Sequence, residues 1–203
     1  MRPAVLLVAA LLVAALLGFT VPAAAQQRSV SILARGGGFN ALTNLDDAAN
    51  SSDFKTGYNL GGAAVVQVGR YLGVRGDFTF ARAEFRDAGV ETQDHFNKFF
   101  YTGAIQLSYP TAGGFTPYVF AGGGGVTIKE KESPTGTNVD KTKGAGVGGI
   151  GLSYRFPGTN WAVHTEGIGY LYKVSELSGT LAGFDKTQLD AAWSAGVSYA
   201  LPF

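Results

Sequence analysis

His164 and Glu166, in the stretch VHTEG, stand two residues apart and project from the same face if the segment is a strand. An imidazole beside a carboxylate is the base half of a nucleophilic relay, which also needs a hydroxyl or thiol within reach of the ring. The position two after His164 is Glu166 itself, and the chain has no cysteine. The pair is therefore expected to form a hydrogen-bonded or ion-paired element, and no catalytic residue is assigned. The other histidine, His95, sits beside Asp94 and is too far along the chain to share a ligand motif with His164. No metal and no cofactor is expected. Gly144–Gly149, GAGVGG, fits the G-x-G-x-x-G fingerprint of dinucleotide sites. That site needs a helix directly after it, and the next segment here, IGLSYRF, alternates as a strand.

The remaining ionisable candidates are isolated charges in alternating segments: Arg35, Arg75, Asp77, Arg155 and Asp190, together with His164 and Glu166. Their setting is clearest at the end of the chain, AWSAGVSYALPF. Leu189, Ala191, Trp193, Ala195, Val197, Tyr199, Leu201 and Phe203 fall on one face of a strand. Gln188, Asp190, Ala192, Ser194, Gly196, Ser198 and Ala200 fall on the other. One face is apolar and the other is small and polar.

The same alternation predicts strands over 29–39, 55–68, 71–85, 96–109, 115–128, 143–156, 161–174 and 187–203. Connections alternate in length. Gly69–Arg70, Pro110–Gly114 and Pro157–Asn160 are tight, whereas Asn40–Phe54, Arg86–His95, Lys129–Thr142 and Ser175–Lys186 are long and carry much of the charge. Long loops at one end and tight turns at the other are the pattern of an up-and-down barrel.

Composition narrows the setting. Arg2 precedes an apolar run from Ala4 to about Phe19, and Ala23-x-Ala25 offers a cleavage site. Residues 1–25 are thus expected to be a removed signal peptide, and 26–203 one domain. Setting Arg2 aside from the 16 Lys+Arg leaves 15 basic against 15 acidic residues. A neutral chain gives no reason to expect a nucleic-acid partner. Only 15% of residues are charged, against roughly 25% in ordinary soluble domains. Low charge without a long apolar run suggests strands that meet lipid on one side only. A soluble lipocalin-like barrel would instead turn its large residues inward and its charges outward. The polar face here is too sparsely charged to be a water-facing exterior. The fold class read from the chain is therefore all-β, a closed eight-stranded antiparallel up-and-down transmembrane barrel. Its lumen would hold Arg35, Arg75, Asp77, Arg155, His164, Glu166 and Asp190, with Gln67, Gln106 and Gln188 between them. Leu72, Val74, Phe78, Phe80, Tyr101, Ile105, Leu107, Ile150, Leu152 and Tyr154 would face lipid. Tyr71, Tyr109, Phe115, Phe156, Trp161 and Phe203 would form a girdle at the short-turn end.

The terminal VSYALPF, with Val197, Tyr199, Leu201 and Phe203 at alternate positions, carries a family resemblance. The chain resembles the small eight-stranded outer-membrane barrels of the OmpA/OmpX kind, the outer membrane protein β-barrel domain group. The resemblance implies that these four residues are the signal read by the barrel-assembly machinery. It also implies outer-membrane lipid as the surrounding partner, and a structural or surface-interaction role with the long loops meeting an unidentified extracellular ligand. Pro202, one residue from the end, departs mildly from the pattern. Some barrels of this kind are lipid A deacylases that use a histidine and a serine two residues apart. Glu166 stands where that serine would be, so the enzyme reading is the alternative rather than the expectation.

Overall fold

The computed structural model describes residues 29–43, 53–54, 56–87, 90–131, 138–174 and 186–201. Eight long strands carry the fold: β1 (Val30–Ala41), β2 (Gly57–Gln67), β3 (Leu72–Asp87), β4 (Val90–Ser108), β5 (Phe115–Lys131), β6 (Asn138–Arg155), β7 (Trp161–Val174) and β8 (Lys186–Leu201). Each pairs antiparallel with the next. β8 then pairs with β1, from Val30 opposite Leu201 to Ala41 opposite Asp190, and the sheet closes. Asp53–Phe54 add two further rungs against Arg86 and Phe85. In hydrocarbon every backbone N–H and C=O must find an internal partner, and closure pairs each of the eight long strands on both sides.

Tight turns join one end of the barrel. Between β4 and β5 the Thr111 amide donates to the Phe115 carbonyl at 2.9 Å. Gly114 takes a φ of 80° there, and Gly158 takes 70° between β6 and β7, a region open to glycine at no steric cost. At the other end the strands run on further than their apolar pattern suggests. β3 and β4 leave only residues 88–89 between them, and β5 and β6 continue to Lys131 and from Asn138. Most of Arg86–His95 and Lys129–Thr142 is thus ladder, not loop. A strand needs ~9–11 residues to cross the bilayer. Beyond that band a hairpin in water keeps its backbone pairs without an apolar face, so hydropathy does not mark its end.

The facing is inside-out. Ile150 is 64% exposed and Trp193 63%. Leu72, Phe78, Ile105, Leu107 and Leu152 are exposed beside them, while Arg35, Arg75, Glu166 and Asp190 are buried. This arrangement excludes the lipocalin-like alternative, which needs the opposite facing. The aromatic girdle is in place at the short-turn end. Tyr71 stacks on Tyr109 at 5.8 Å between centroids, Phe115 meets Tyr154 at 4.8 Å, and Trp161 meets Tyr199 edge-on at 5.0 Å. Phe203 lies outside the described residues, as do the expected signal peptide and the start of the mature chain.

The lumen differs from expectation in one respect. It is not merely small and polar, because Phe39, Phe96, Phe100, Tyr118, Phe120, Tyr170 and Tyr172 all point inward and are buried. Glycines on β6 make space for two of these rings. A Cβ added at Gly149 would stand 2.4 Å from Phe120 Cζ, and one at Gly151 would stand 2.3 Å from Tyr118 Cζ. Gly151→Leu is therefore expected to lower stability by about 1–3 kcal/mol through overpacking, read as a shift in the urea midpoint of the protein in lipid vesicles. An unchanged midpoint would mean that Tyr118 can leave Gly151 freely.

Candidate functional site

The lumen charges come from strands far apart in sequence. Arg35 on β1, Arg75 and Asp77 on β3, and Glu166 on β7 meet across the barrel as one cluster. Arg75 grips Glu166 with both terminal nitrogens, each at 2.9 Å, and its Nε donates to Asp77 Oδ2 at 2.7 Å. Arg35 pairs with Asp77 through both Nη atoms. Its Nη1 also reaches Glu166 Oε2 at 3.0 Å, and its Nη2 donates to Thr79 Oγ1 at 2.7 Å. The Tyr118 hydroxyl donates to Glu166 Oε1 at 2.6 Å. Arg75 lies over the Phe120 ring, 4.1 Å from its centroid. Two guanidiniums face two carboxylates, so the cluster is formally neutral, with bidentate geometry that suits arginine.

Asp190 belongs to a second group nearer the long-loop end. Lys98 Nζ donates to its Oδ2 at 2.8 Å, with both side chains wholly buried. The Tyr172 hydroxyl donates to the same oxygen at 2.7 Å, and Gln188 Nε2 to Oδ1 at 3.0 Å. Phe39 and Tyr172 flank the ammonium at 5.2 and 5.6 Å. Phe100, stacked on Tyr170 at 4.0 Å, adds an apolar layer to the filling. The Tyr170 hydroxyl donates to Thr79 Oγ1 at 2.9 Å and ties that layer to the first cluster. Lys98 carries no distinguishing mark in FNKFFY, where aromatic residues occupy both faces of the strand. Its parity with Thr102 and Gln106 is the signal that could have found it.

His164 joins neither cluster directly. Its Nε2 lies 2.5 Å from Ser198 Oγ on the neighbouring strand, and its Nδ1 lies 3.4 Å from the Tyr118 hydroxyl. A serine thus does reach the ring, from β8 rather than from two residues on. Ser198 is 6% exposed, its side chain turned into the barrel. The contacts there are those of a lumen hydrogen-bond chain. Arg155 is a departure from expectation: it has lumen parity opposite Ala162 but ends at the short-turn rim, exposed and outside the cluster. A strand's last inward position opens onto solvent, and a long cation reaches out to it. Gln106 is buried within hydrogen-bond reach of Arg75, at 3.4 Å, and Gln67 is half-buried. His95 lies in β4 with Glu84 and Lys131 as backbone partners; its side chain is outside the described set.

Val197, Tyr199 and Leu201 lie on the outer face near the short-turn end, with Val197 and Leu201 exposed and Tyr199 half-covered by Trp161.

A family model described as the outer membrane protein beta-barrel domain matches residues 11–200. No curated protein matches the chain. Among solved structures, Neisserial surface protein A is similar at 13% identity with a TM-score of 0.61, covering 84% of this chain and 96% of that one. OprG from Pseudomonas aeruginosa gives 13% identity and 0.55, with 88% and 99% covered. Ail, the attachment invasion locus protein of Yersinia pestis, gives 15% and 0.52, with 87% and 99% covered. At such identities the likeness concerns the fold alone.

Proposed function

From the premise that this chain belongs to the outer membrane protein β-barrel domain family, we propose that it is a non-enzymatic outer-membrane barrel whose role is structural or adhesive, exercised through its long hairpins. The filled lumen carries this reading. Two ion-paired groups and the stacked Phe100–Tyr170 layer occupy the interior. Eight strands enclose a space that side chains can fill, as they do here, while aqueous channels belong to barrels of about 16 strands. With the interior committed to packing, the surface beyond the membrane is what remains for recognition. Ail, named for attachment and invasion, is a protein of this fold whose name carries such a role.

The test has two arms. Purified protein in planar bilayers should show no steady conductance, and the intact protein should retain a host or envelope component that a hairpin-trimmed form loses. Large, stable channels from a verified monomer would overturn the plug. Equal capture by both forms would overturn the hairpin role.

Biogenesis belongs to the same proposal. The leader directs export, and Phe203, with Val197, Tyr199 and Leu201, is recognised by the assembly machinery. Deleting Phe203 should cut outer-membrane insertion in cells at least tenfold, whereas the loss of one contact at ~2 kcal/mol would leave a stable barrel almost entirely folded. Normal insertion of the deletion variant would reduce the residue to ordinary packing.

A further inference from the structure

The outer surface toward the long-loop end of β3 to β7 carries a group of donors that the lumen plug does not use. The Tyr101 hydroxyl lies 3.3 Å from Thr127 Oγ1, which lies 2.8 Å from Thr142 Oγ1. These hydroxyls form a row across β4, β5 and β6 on the outward face. Lys129 stands two residues beyond Thr127 on the same face, its ammonium 5.4 Å from the Phe99 centroid. Tyr172 pairs with Ala145, which sets Lys173 beside Gly144, two residues from Thr142. Lys129, Lys173 and Thr142 are exposed. Arg82 extends the cationic row, since it pairs with Asn97, and Asn97 pairs with Lys129.

Toward the membrane from this row, beyond the Tyr101 ring that covers Gly125, three successive strands carry no side chain on one rung, with the exposed Leu171 beside them. Gly103, Gly123 and Gly146 are register partners on three successive strands. An added Cβ at Gly103 or Gly144 would meet nothing within 4 Å. Cations and hydroxyls thus sit above a smooth apolar trough, at the edge of the surface that faces lipid.

We propose that this face binds the phosphate-bearing headgroup of a lipid in the adjoining leaflet, with its acyl chains lying in the glycine trough. Ammonium, guanidinium and hydroxyl groups are all donors suited to phosphate oxygens. Lys129 and Lys173 already engage neighbours, so the phosphate joins or exchanges with those contacts. The apolar trough selects an anion that carries chains over a free one. The inference rests on the outer-membrane reading and adds a ligand class to it.

The test uses the full chain in detergent, with bound lipid read by native mass spectrometry. The probes are hexa-acyl diphosphoryl lipid A and the same lipid without its phosphates. The phosphorylated form should be retained at least tenfold better. Lys129→Ala with Lys173→Ala should weaken its retention about 25-fold, roughly fivefold per cation near a membrane surface. Lys129→Arg should keep it. Gly123→Leu with Gly146→Leu, which leaves every cation in place, should weaken it by filling the trough. Heat-dependent gel migration verifies that each variant is folded. Equal retention of the two lipids, or wild-type retention by the folded double alanine variant, overturns the proposal. Competition by inorganic pyrophosphate at matched concentration also overturns it, because the site would then be one for free anions. Recovery of the unmodified protein in the aqueous fraction without detergent would instead sink the outer-membrane reading, and is seen separately from lipid retention.

Discussion

Glu166→Ala is expected to destabilise the barrel by about 3–5 kcal/mol, the usual cost of breaking a buried ion pair from one side. The carboxylate accepts from both terminal nitrogens of Arg75, from Arg35 and from Tyr118. Its loss leaves two buried guanidiniums sharing a single carboxylate, that of Asp77. Glu166→Gln keeps the shape and one acceptor oxygen but not the charge, so it should fall between wild type and the alanine variant. The two arginines are not equivalent. Arg75 binds Glu166 with two nitrogens and Asp77 with a third, whereas the Arg35 Nε is buried without a partner. A double-mutant cycle should therefore give Glu166 a larger coupling to Arg75 than to Arg35. Equilibrium unfolding in lipid vesicles, tracked by the fluorescence of Trp161 and Trp193, measures these differences. A Glu166→Ala variant within about 0.5 kcal/mol of wild type, the range of ordinary surface changes, would show that the cluster is hydrated or loosely held.

The fold was legible in the sequence because a lipid-facing barrel imposes a period of two on every strand, and because its turns punctuate one end. Trp193 and Ser194 show how sharp that signal is: neighbours in the chain, one is 63% exposed and the other 5%. Where a strand leaves the membrane the constraint weakens, which is why ladder residues such as Lys129 and Lys141 read as loop. The pairing of the charges was a different matter. Parity puts Arg35, Arg75, Asp77 and Glu166 inside, but which charge meets which depends on the stagger between strands, and no single strand encodes that. Glu166 finds Arg75 across 91 positions and Arg35 across 131. The same limit hid Lys98 as the partner of Asp190 and Ser198 as the neighbour of His164. Arg155 illustrates the converse, because correct parity does not tell how far along the lumen a side chain lies. The aromatic filling was missed for a compositional reason. Phe96–Tyr101, FNKFFY, places rings on both faces, so size alone could not assign a side.

Trp193→Arg should cost about 2–4 kcal/mol in a bilayer, and the depth of the residue sets the figure. Trp193 pairs with Gly167, six residues along β7 from the girdle residue Trp161. At about 3.4 Å per residue and a tilt near 40°, that is roughly 16 Å of a ~25 Å apolar band, close to its middle. The Trp193 ring packs against Gly167, where an added Cβ would stand 3.0 Å from Cζ3, so part of any loss is packing. Trp193→Ala removes that packing without adding charge and isolates it. Val197 lies on the same face, opposite Val163 and two residues from Trp161. Val197→Arg should cost no more than about 1 kcal/mol, because an arginine near the interface reaches water. The ordering Trp193→Arg well above Trp193→Ala, with Val197→Arg near wild type, requires an apolar slab centred near Trp193 and ending near the girdle. Both arginine variants should come close to their alanine counterparts in detergent micelles, where water reaches the belt more easily. Equal costs at the two positions in vesicles would mean that the face does not span a bilayer in this register. The rungs from Gly167 to Tyr199 would then have to be set at a different depth.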